Sequence, residues 1–337
     1  MKVLISAYEK MSSGIASYTE EVAKLLSSYV DLAVLSFDDW KSERFKVIKF
    51  TRKGVSRALP YLSFLRNKES LEKIEKEFDV IHETLPPWGS TGNNLITTKW
   101  GYIGYFKLAL IRLAGLSFPE KLGAFPVTLQ HYIMDKISFR KAKYIVSMND
   151  ESANFIPPPI ENRTLKKYEY DSKLKLLFVS RDLTMKRKNL KVILNSFKYL
   201  KKDIELHLVG EDKGKIRRDK NIIIHGFLER EKVFELMYKV DALILPSTYE
   251  ELGYVGLEAY SIGLPLITSK IPSFNTIFKA SPKFDPYNPK ELGDILNKLS
   301  CGDLEEIGRK GYELVKQYNE IARKKFLGLY KEAMNSN

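Results

Sequence analysis

The sequence predicts an α/β protein built from two Rossmann-like, doubly wound domains, and three observations carry that expectation. At 337 residues the chain exceeds the size at which a single hydrophobic core usually stops growing. Strand, loop and helix patterns alternate in both halves, the arrangement that lays helices on both faces of a parallel sheet. A proline run, IPPPI at 156–160, stiffens the chain between the halves and marks a linker.

Composition narrows the classes further. Hydrophobic residues make up 44% and charged residues 29% of the chain, which suits a globular protein and excludes a disordered one. The single cysteine, Cys301, excludes an internal disulfide framework, and with four histidines and no CxxC or HExxH spacing no metal site is expected. The opening run MKVLISAYEKM is cut off by Glu9 and Lys10 before it reaches the length of a signal peptide, so no secretory leader is expected. A net charge of +13 calls for an anionic partner: nucleic acid, an anionic membrane face or an anionic small molecule. No helix-turn-helix, zinc-finger or RNP pattern is visible, so nucleic acid is not expected.

KVLISAY, Lys2 to Tyr8, reads as a buried opening strand, and the polar EKMSSG that follows ends at Gly14. Ile15, Tyr18, Val22, Leu25 and Leu26 then share one helical face, with Ser12 or Ser13 available as its cap. Further strands are read at Leu32 to Ser36, Lys46 to Phe50, Asp79 to His82 and Asn94 to Thr98. Between them, 51–66 and 101–130 interleave basic residues such as Arg57, Arg66, Lys107 and Arg112 with aromatic and aliphatic ones. Charges interrupt every apolar run there before the roughly twenty residues a membrane span requires. Two readings stay open for these stretches: amphipathic core helices with solvated basic faces, or helices lying flat on an anionic membrane.

The second half opens with a strand at Leu174 to Ser180, followed by Arg181-Asp182 and a basic loop through Lys186, Arg187 and Lys188. Leu190, Ile193, Leu194 and Phe197 mark the helix after it. A positive loop at the carboxyl end of a strand suits a diphosphate, Arg offering a bidentate fork and Lys a point charge; a solvated charge run is the alternative. Strands at Leu206 to Gly210 and Asn221 to Gly226 and a helix at Glu229 to Lys239 lead to the densest stretch, DALILPSTYEELGYVGLEAYSIGLPLITS, at 241–269. Asp241 to Leu245 is a strand stopped by Pro246-Ser247; a loop carries Glu250, Glu251 and Gly253; a helix runs through Val255, Leu257, Ala259 and Ile262; and Gly263-Leu264-Pro265 ends it before a second strand. The amides near Tyr254, Val255 and Gly256 form a seat for an anion. Glu258 is placed to accept hydrogen bonds from a diol such as ribose, and Glu250 to reach hydroxyls beyond the phosphates. The competing reading makes Glu250 and Glu251 surface acids that favour the helix dipole and Glu258 a solvated helix residue. Helices at 288–299, 304–317 and 319–334 complete the pattern.

The run PSTYEELGYVGLEAYSIGLPLITS resembles the glutamate-seven-glutamate signature of the family-4 retaining glycosyltransferases, which have the GT-B fold, two Rossmann-like doubly wound domains facing across a cleft. Weaker likenesses follow in the family's order. The loop ending in Ser13-Gly14 is similar to the amino-terminal glycine loop beside the donor, FDVIHET to a strand ending in Asp-Val-Ile-His, 140–156 to the first domain's last strand and following helix, and 319–334 to the helix that crosses back. The resemblance implies an acceptor-binding domain at 1–157 with 319–337 and a nucleotide-sugar-binding domain at 158–318. It implies Arg181 and Lys188 on the diphosphate, with Lys186 the alternative in another register, and Phe227 at the base. It places Gly14, Gly253, Tyr254 and Val255 around the donor, Glu250 on the sugar and Glu258 on the ribose, with Glu250, Arg181 and Lys188 as the catalytic group. His82 is either a cleft residue or an imidazole satisfied in the core. Where many relatives have a histidine after the next strand, this chain has Lys99-Trp100-Gly101, so Lys99 or Trp100 stands as the replacement.

The activity this implies is hexosyl transfer with retention to a hydroxyl of a glycan acceptor, lipid-linked acceptors included, with no metal, no other cofactor and no protein nucleophile. The implied location is the cytoplasm or the cytoplasmic membrane face, with an anionic membrane surface as a candidate partner. Two alternatives stay open: a nucleotide-sugar epimerase or phosphorylase-like enzyme on the same fold, and an inactive basic protein that binds membrane or nucleic acid.

Overall fold

The computed structural model of the chain describes residues 1–7, 14–36, 40–50, 60–84, 92, 94–99, 126, 129, 133, 136, 139–148, 154–169, 173–214, 216 and 219–335. Two compact units result, Met1–Pro159 with Asn319–Asn337, and Ile160–Tyr318.

In the first unit, strands β1 (Lys2–Ala7), β2 (Asp31–Ser36), β3 (Lys46–Lys49), β4 (Val80–Glu83), β5 (Leu95–Lys99) and β6 (Tyr144–Ser147) form one parallel sheet in the order β3-β2-β1-β4-β5-β6. Helices α1 (Gly14–Leu26) and α2 (Pro60–Glu75) follow β1 and β3. The interior positions of β1 and β2 are buried without alternation, as parallel strands covered on both faces require. Leu4, Ala33, Leu35, Phe50, Leu71, Ile81 and Leu95 form a core cluster beneath them. The chain winds outward from β1 to β3, then returns to lay β4 on the other side of β1, so the winding reverses between β1 and β4.

The second unit repeats the plan. Strands β7 (Leu174–Asp182), β8 (Ile204–Glu211), β9 (Ile222–Gly226), β10 (Ala242–Leu245), β11 (Leu266–Ser269) and β12 (Lys283–Phe284) pair in parallel in the order β12-β11-β10-β7-β8-β9. The helices are α3 (Leu190–Ser196), α4 (Arg230–Met237), α5 (Tyr254–Ser261), α6 (Pro272–Ile277), α7 (Pro289–Lys298) and α8 (Cys301–Asn335), the last contributing residues from 319 onward to the first unit. Here the winding reverses between β7 and β10, and crevices at such reversals are where doubly wound sheets bind ligands. Gly210 is required close by: its φ is 138°, and a Cβ there would stand 1.8 Å from the Ser180 carbonyl oxygen.

The structure departs from the sequence expectation in four elements. Strand β7 runs two residues further than expected, so Arg181 and Asp182 belong to the strand. Helix α8 is continuous where two helices, 304–317 and 319–334, were expected. No Pro or Gly stands at Tyr318-Asn319, and Val315, Tyr318, Ala322, Phe326, Tyr330 and Ala333 form one unbroken buried stripe at helical spacing. Helix α6 and the two-residue β12 went unread, being too short to show a period. Ser12, Ser13, Trp100, residues 51–59 and most of 101–130 lie outside the described residues. Among the described residues, no helix is long and apolar enough to cross a membrane.

Candidate functional site

Charge concentrates where the second sheet reverses its winding. After β7 the chain makes a tight turn, Lys186–Lys188, and Asn189 follows in the left-handed region, φ 58° and ψ 38°. Asn189 Nδ2 donates to the carbonyls of Pro246 at 3.0 Å and Pro286 at 2.7 Å, and the Thr248 amide donates to the Arg187 carbonyl at 2.9 Å. The basic turn is thereby fastened to the loop that leaves β10.

Glu250, on that loop, accepts from Arg187 Nη1 at 2.7 Å and from Lys188 Nζ at 2.8 Å, both through Oε2. Its side chain is 14% exposed and that of Lys188 16%. Burial by itself would raise the pKa of this carboxyl; the charges of Lys188 and Arg187 outweigh it and hold the group below its ordinary value. Two cations face one carboxylate, and the exposed Arg181 and Lys186 stand on the same segment, so positive charge is in excess. The surface-acid reading of Glu250 is therefore wrong. Lys188 is engaged by Glu250, and Arg187, which the sequence did not single out, shares that carboxylate. Arg181 ends β7 beside Asp182, whose carboxyl the Lys213 and Thr184 hydrogen bonds push down to about 2.

Helix α5 starts immediately after this loop. Gly253, its N-cap, has φ 66° and ψ 53°, and a Cβ there would stand 2.7 Å from Phe274 Cε1, so the position takes glycine alone. The Gly256 amide donates to the Gly253 carbonyl at 2.8 Å, which removes Gly256 from the expected anion seat. Tyr254, buried, and Val255, partly buried, open the helix. One turn on, Glu258 is 8% exposed and its Oε1 accepts from Arg230 Nε at 2.7 Å, which overturns the solvated reading of this residue as well. Arg230 begins α4, three residues after Phe227, which exposes 59% of its surface on the turn past Gly226.

The first unit places its named residues differently. Gly14 is the exposed first residue of α1. His82 is fully buried inside β4, Nδ1 within 2.8 Å of the Tyr330 hydroxyl and Nε2 within 2.9 Å of Thr98 Oγ1. Burial pushes its pKa down to about 3, so the ring is neutral. Of the two readings open to His82, the satisfied core imidazole is the one the geometry fits, and a role facing an acceptor is withdrawn. Next to it, Glu83 is buried and accepts from Thr97 Oγ1 at 3.1 Å, while Thr84 Oγ1 donates to the Ser6 carbonyl at 2.9 Å. Lys99 ends β5 half-buried; Trp100 lies outside the described residues. Among the described residues, no group of three or more His, Cys, Asp or Glu side chains is placed to hold a metal ion.

Sequence reasoning missed Arg187 and Arg230 as partners of the two glutamates. The run Lys186-Arg187-Lys188 signalled the first without saying which cation turns inward. Nothing local signalled the second, which lies 28 residues from its carboxylate.

Residues 173–300 match a family profile described as "Glycosyl transferases group 1". Over 46 residues the chain is 46% identical to a glycogen synthase of Mycobacterium tuberculosis, a match spanning 14% of this chain and 11% of that protein. Over 71 residues it is 37% identical to the O-antigen biosynthesis glycosyltransferase WclY of Escherichia coli, spanning 21% of this chain and 20% of the relative. The chain therefore covers only a small part of the curated relatives it matches. The structure of Anabaena HepE in complex with UDP and glucose superposes with a TM-score of 0.71 at 15% identity, covering 98% of this chain and 100% of that one. At that identity the likeness establishes the fold, and the fold is GT-B.

Proposed function

We propose that this chain is a retaining glycosyltransferase that moves a hexose from a nucleoside-diphosphate donor to a hydroxyl of a glycan acceptor. The observation that carries the reading is Glu250, partly buried and held ionised between Arg187 and Lys188 at the winding reversal, with Glu258 eight positions further along the chain. The family profile match over 173–300 supports it.

In this reading 158–318 binds the donor and 1–157 with 319–337 binds the acceptor. Lys188 has three N–H donors, so it can keep Glu250 oriented and still contact a phosphate. Arg181, Lys188 and the amides at Tyr254 and Val255 stabilise the charge that grows on the departing diphosphate, with Lys186 a second cation at the turn. Glu250 accepts from sugar hydroxyls, Glu258 from the ribose, and Phe227 offers a face to the base. The departing phosphate then assists the incoming hydroxyl on the same face, a route that needs no protein nucleophile and no metal. Gly14, Lys99 and Trp100 are the candidates for substrate contact at 1–157. The net charge of +13 supports an anionic surface, such as the cytoplasmic membrane face, as the place where a lipid-linked acceptor would be met.

The test is calorimetric titration with uridine, guanosine and adenosine diphosphohexoses, followed by NMR of the anomeric proton in any product. Binding of at least one donor and an unchanged anomeric configuration are expected. HepE is described as bound to UDP and glucose, so the uridine series is the first to run. If no donor binds, the reading fails. If a donor binds and is only isomerised or phosphorolysed, the epimerase or phosphorylase alternative replaces it.

A further inference from the structure

We propose that Arg230 is a positioning residue by which this chain selects ribonucleotides over deoxyribonucleotides. The proposal rests on the donor reading above and adds the residue that sets selectivity at the sugar of the nucleoside. Arg230 Nε donates to Glu258 Oε1 at 2.7 Å, and the two side chains are 27% and 11% exposed, so the pair is largely shielded from water. A shielded carboxylate held by a guanidinium keeps both its charge and its plane, because the Nε–H vector is fixed by the planar fork. Its two oxygens offer about four lone-pair sites, and a carboxylate oriented in this way can accept from a vicinal diol.

The guanidinium is itself braced. Its central carbon lies 5.7 Å from the centroid of the Phe234 ring, one turn along α4. The Arg163 guanidinium covers the same ring at 3.7 Å and clasps Glu231 through both terminal nitrogens at 2.7 Å. The start of α4 is thus held in place independently of any ligand. Phe227, three residues before Arg230 and within about 11 Å of it along the chain, exposes its ring on the same segment. One short stretch, 226–230, therefore carries both an aromatic face for a base and the group that orients the carboxylate for its ribose.

A charge partner that merely stabilised Glu258 would leave selectivity unchanged when removed. The experiment measures, on the full chain, dissociation constants for uridine, guanosine and adenosine diphosphates and their 2′-deoxy counterparts, for wild type, Arg230→Gln, Arg230→Lys and Glu258→Gln. The wild type is expected to prefer the ribonucleotide of its own base by about tenfold, the worth of a hydrogen bond to a charged group. Arg230→Gln and Glu258→Gln should bring that ratio to about one, the ribonucleotide losing more affinity than the deoxynucleotide. Arg230→Lys, which keeps the charge and loses the fork, should fall between. Equal weakening of both nucleotides, or a ratio unchanged in Arg230→Gln, overturns the proposal, as does a wild type indifferent to the 2′-hydroxyl. Failure of the wild type to bind any of these nucleotides instead overturns the donor reading itself.

Discussion

The two sheets have the same winding and opposite chemistry at the place where it reverses. Between β1 and β4 the polar groups are neutral or paired within the fold: Thr84 on the Ser6 carbonyl, Thr97 on Glu83, and His82 held at both nitrogens. Between β7 and β10 the groups are ions, Arg187 and Lys188 on Glu250. Topology fixes where a crevice can form. Whether it does chemistry depends on which side chains end the strands, and a buried carboxylate at such a place persists only with cations to match. The comparison predicts that substitutions at the second reversal cost activity and substitutions at the first cost stability.

The largest expected effect tests the second reversal. Lys188→Ala leaves Glu250 with Arg187 alone and removes a donor aimed at the leaving diphosphate. We expect kcat/KM for the nucleotide sugar to fall by a factor of about 100 to 1,000, near 3 to 4 kcal/mol, with the melting temperature changed little. A loss below about tenfold would remove the charge cluster from the mechanism and dissolve the contrast between the reversals.

Next in size is the backbone that carries the cluster. Gly253→Ala puts a methyl group 2.7 Å from Phe274 Cε1 at a φ of 66°. Overpacking and the left-handed penalty together should destabilise the second unit by about 2 to 4 kcal/mol. Urea denaturation measures this directly. A variant as stable as wild type would mean that the loop relaxes freely and that Gly253 is not what sets the start of α5.

Much of this was legible in the sequence, and the reasons differ by level. The two sheets were readable because parallel strands leave short apolar runs stopped by Gly, Pro or charge, as Asp241 to Leu245 is by Pro246-Ser247. Glu250, Gly253 and Glu258 were readable because a strand-loop-helix motif keeps them within nine residues. Their partners were less so. Arg187 stands in a run of three cations, and only the stitching of Asn189 and Thr248 to the neighbouring loop brings it onto Glu250. Arg230 comes from another helix, and no local pattern encodes a contact across 28 residues. His82 shows the converse: a histidine near a strand end was visible, but its satisfaction depends on Tyr330, 248 residues away.

The smallest expected effect sharpens the first reversal through pH. The folded pKa of His82 is pushed by burial from 6.5 to about 3. Above pH 6.5 the ring is neutral in both states and its contribution is fully present. Between pH 6.5 and about 3 the unfolded chain binds a proton that the folded one refuses, so stability declines by about 1.4 kcal/mol per pH unit as pH falls through that window. Between pH 7 and pH 5 this amounts to about 1 to 2 kcal/mol. His82→Gln keeps a donor and an acceptor near Tyr330 and Thr98 while removing the titration. Its stability at pH 7 should drop, but the gap between variant and wild type should narrow as the buffer is taken to pH 5, with donor affinity unchanged at both. Parallel pH curves would place the buried proton elsewhere; a donor affinity that fell with the substitution would return His82 to the site and erase the division of labour between the two sheets.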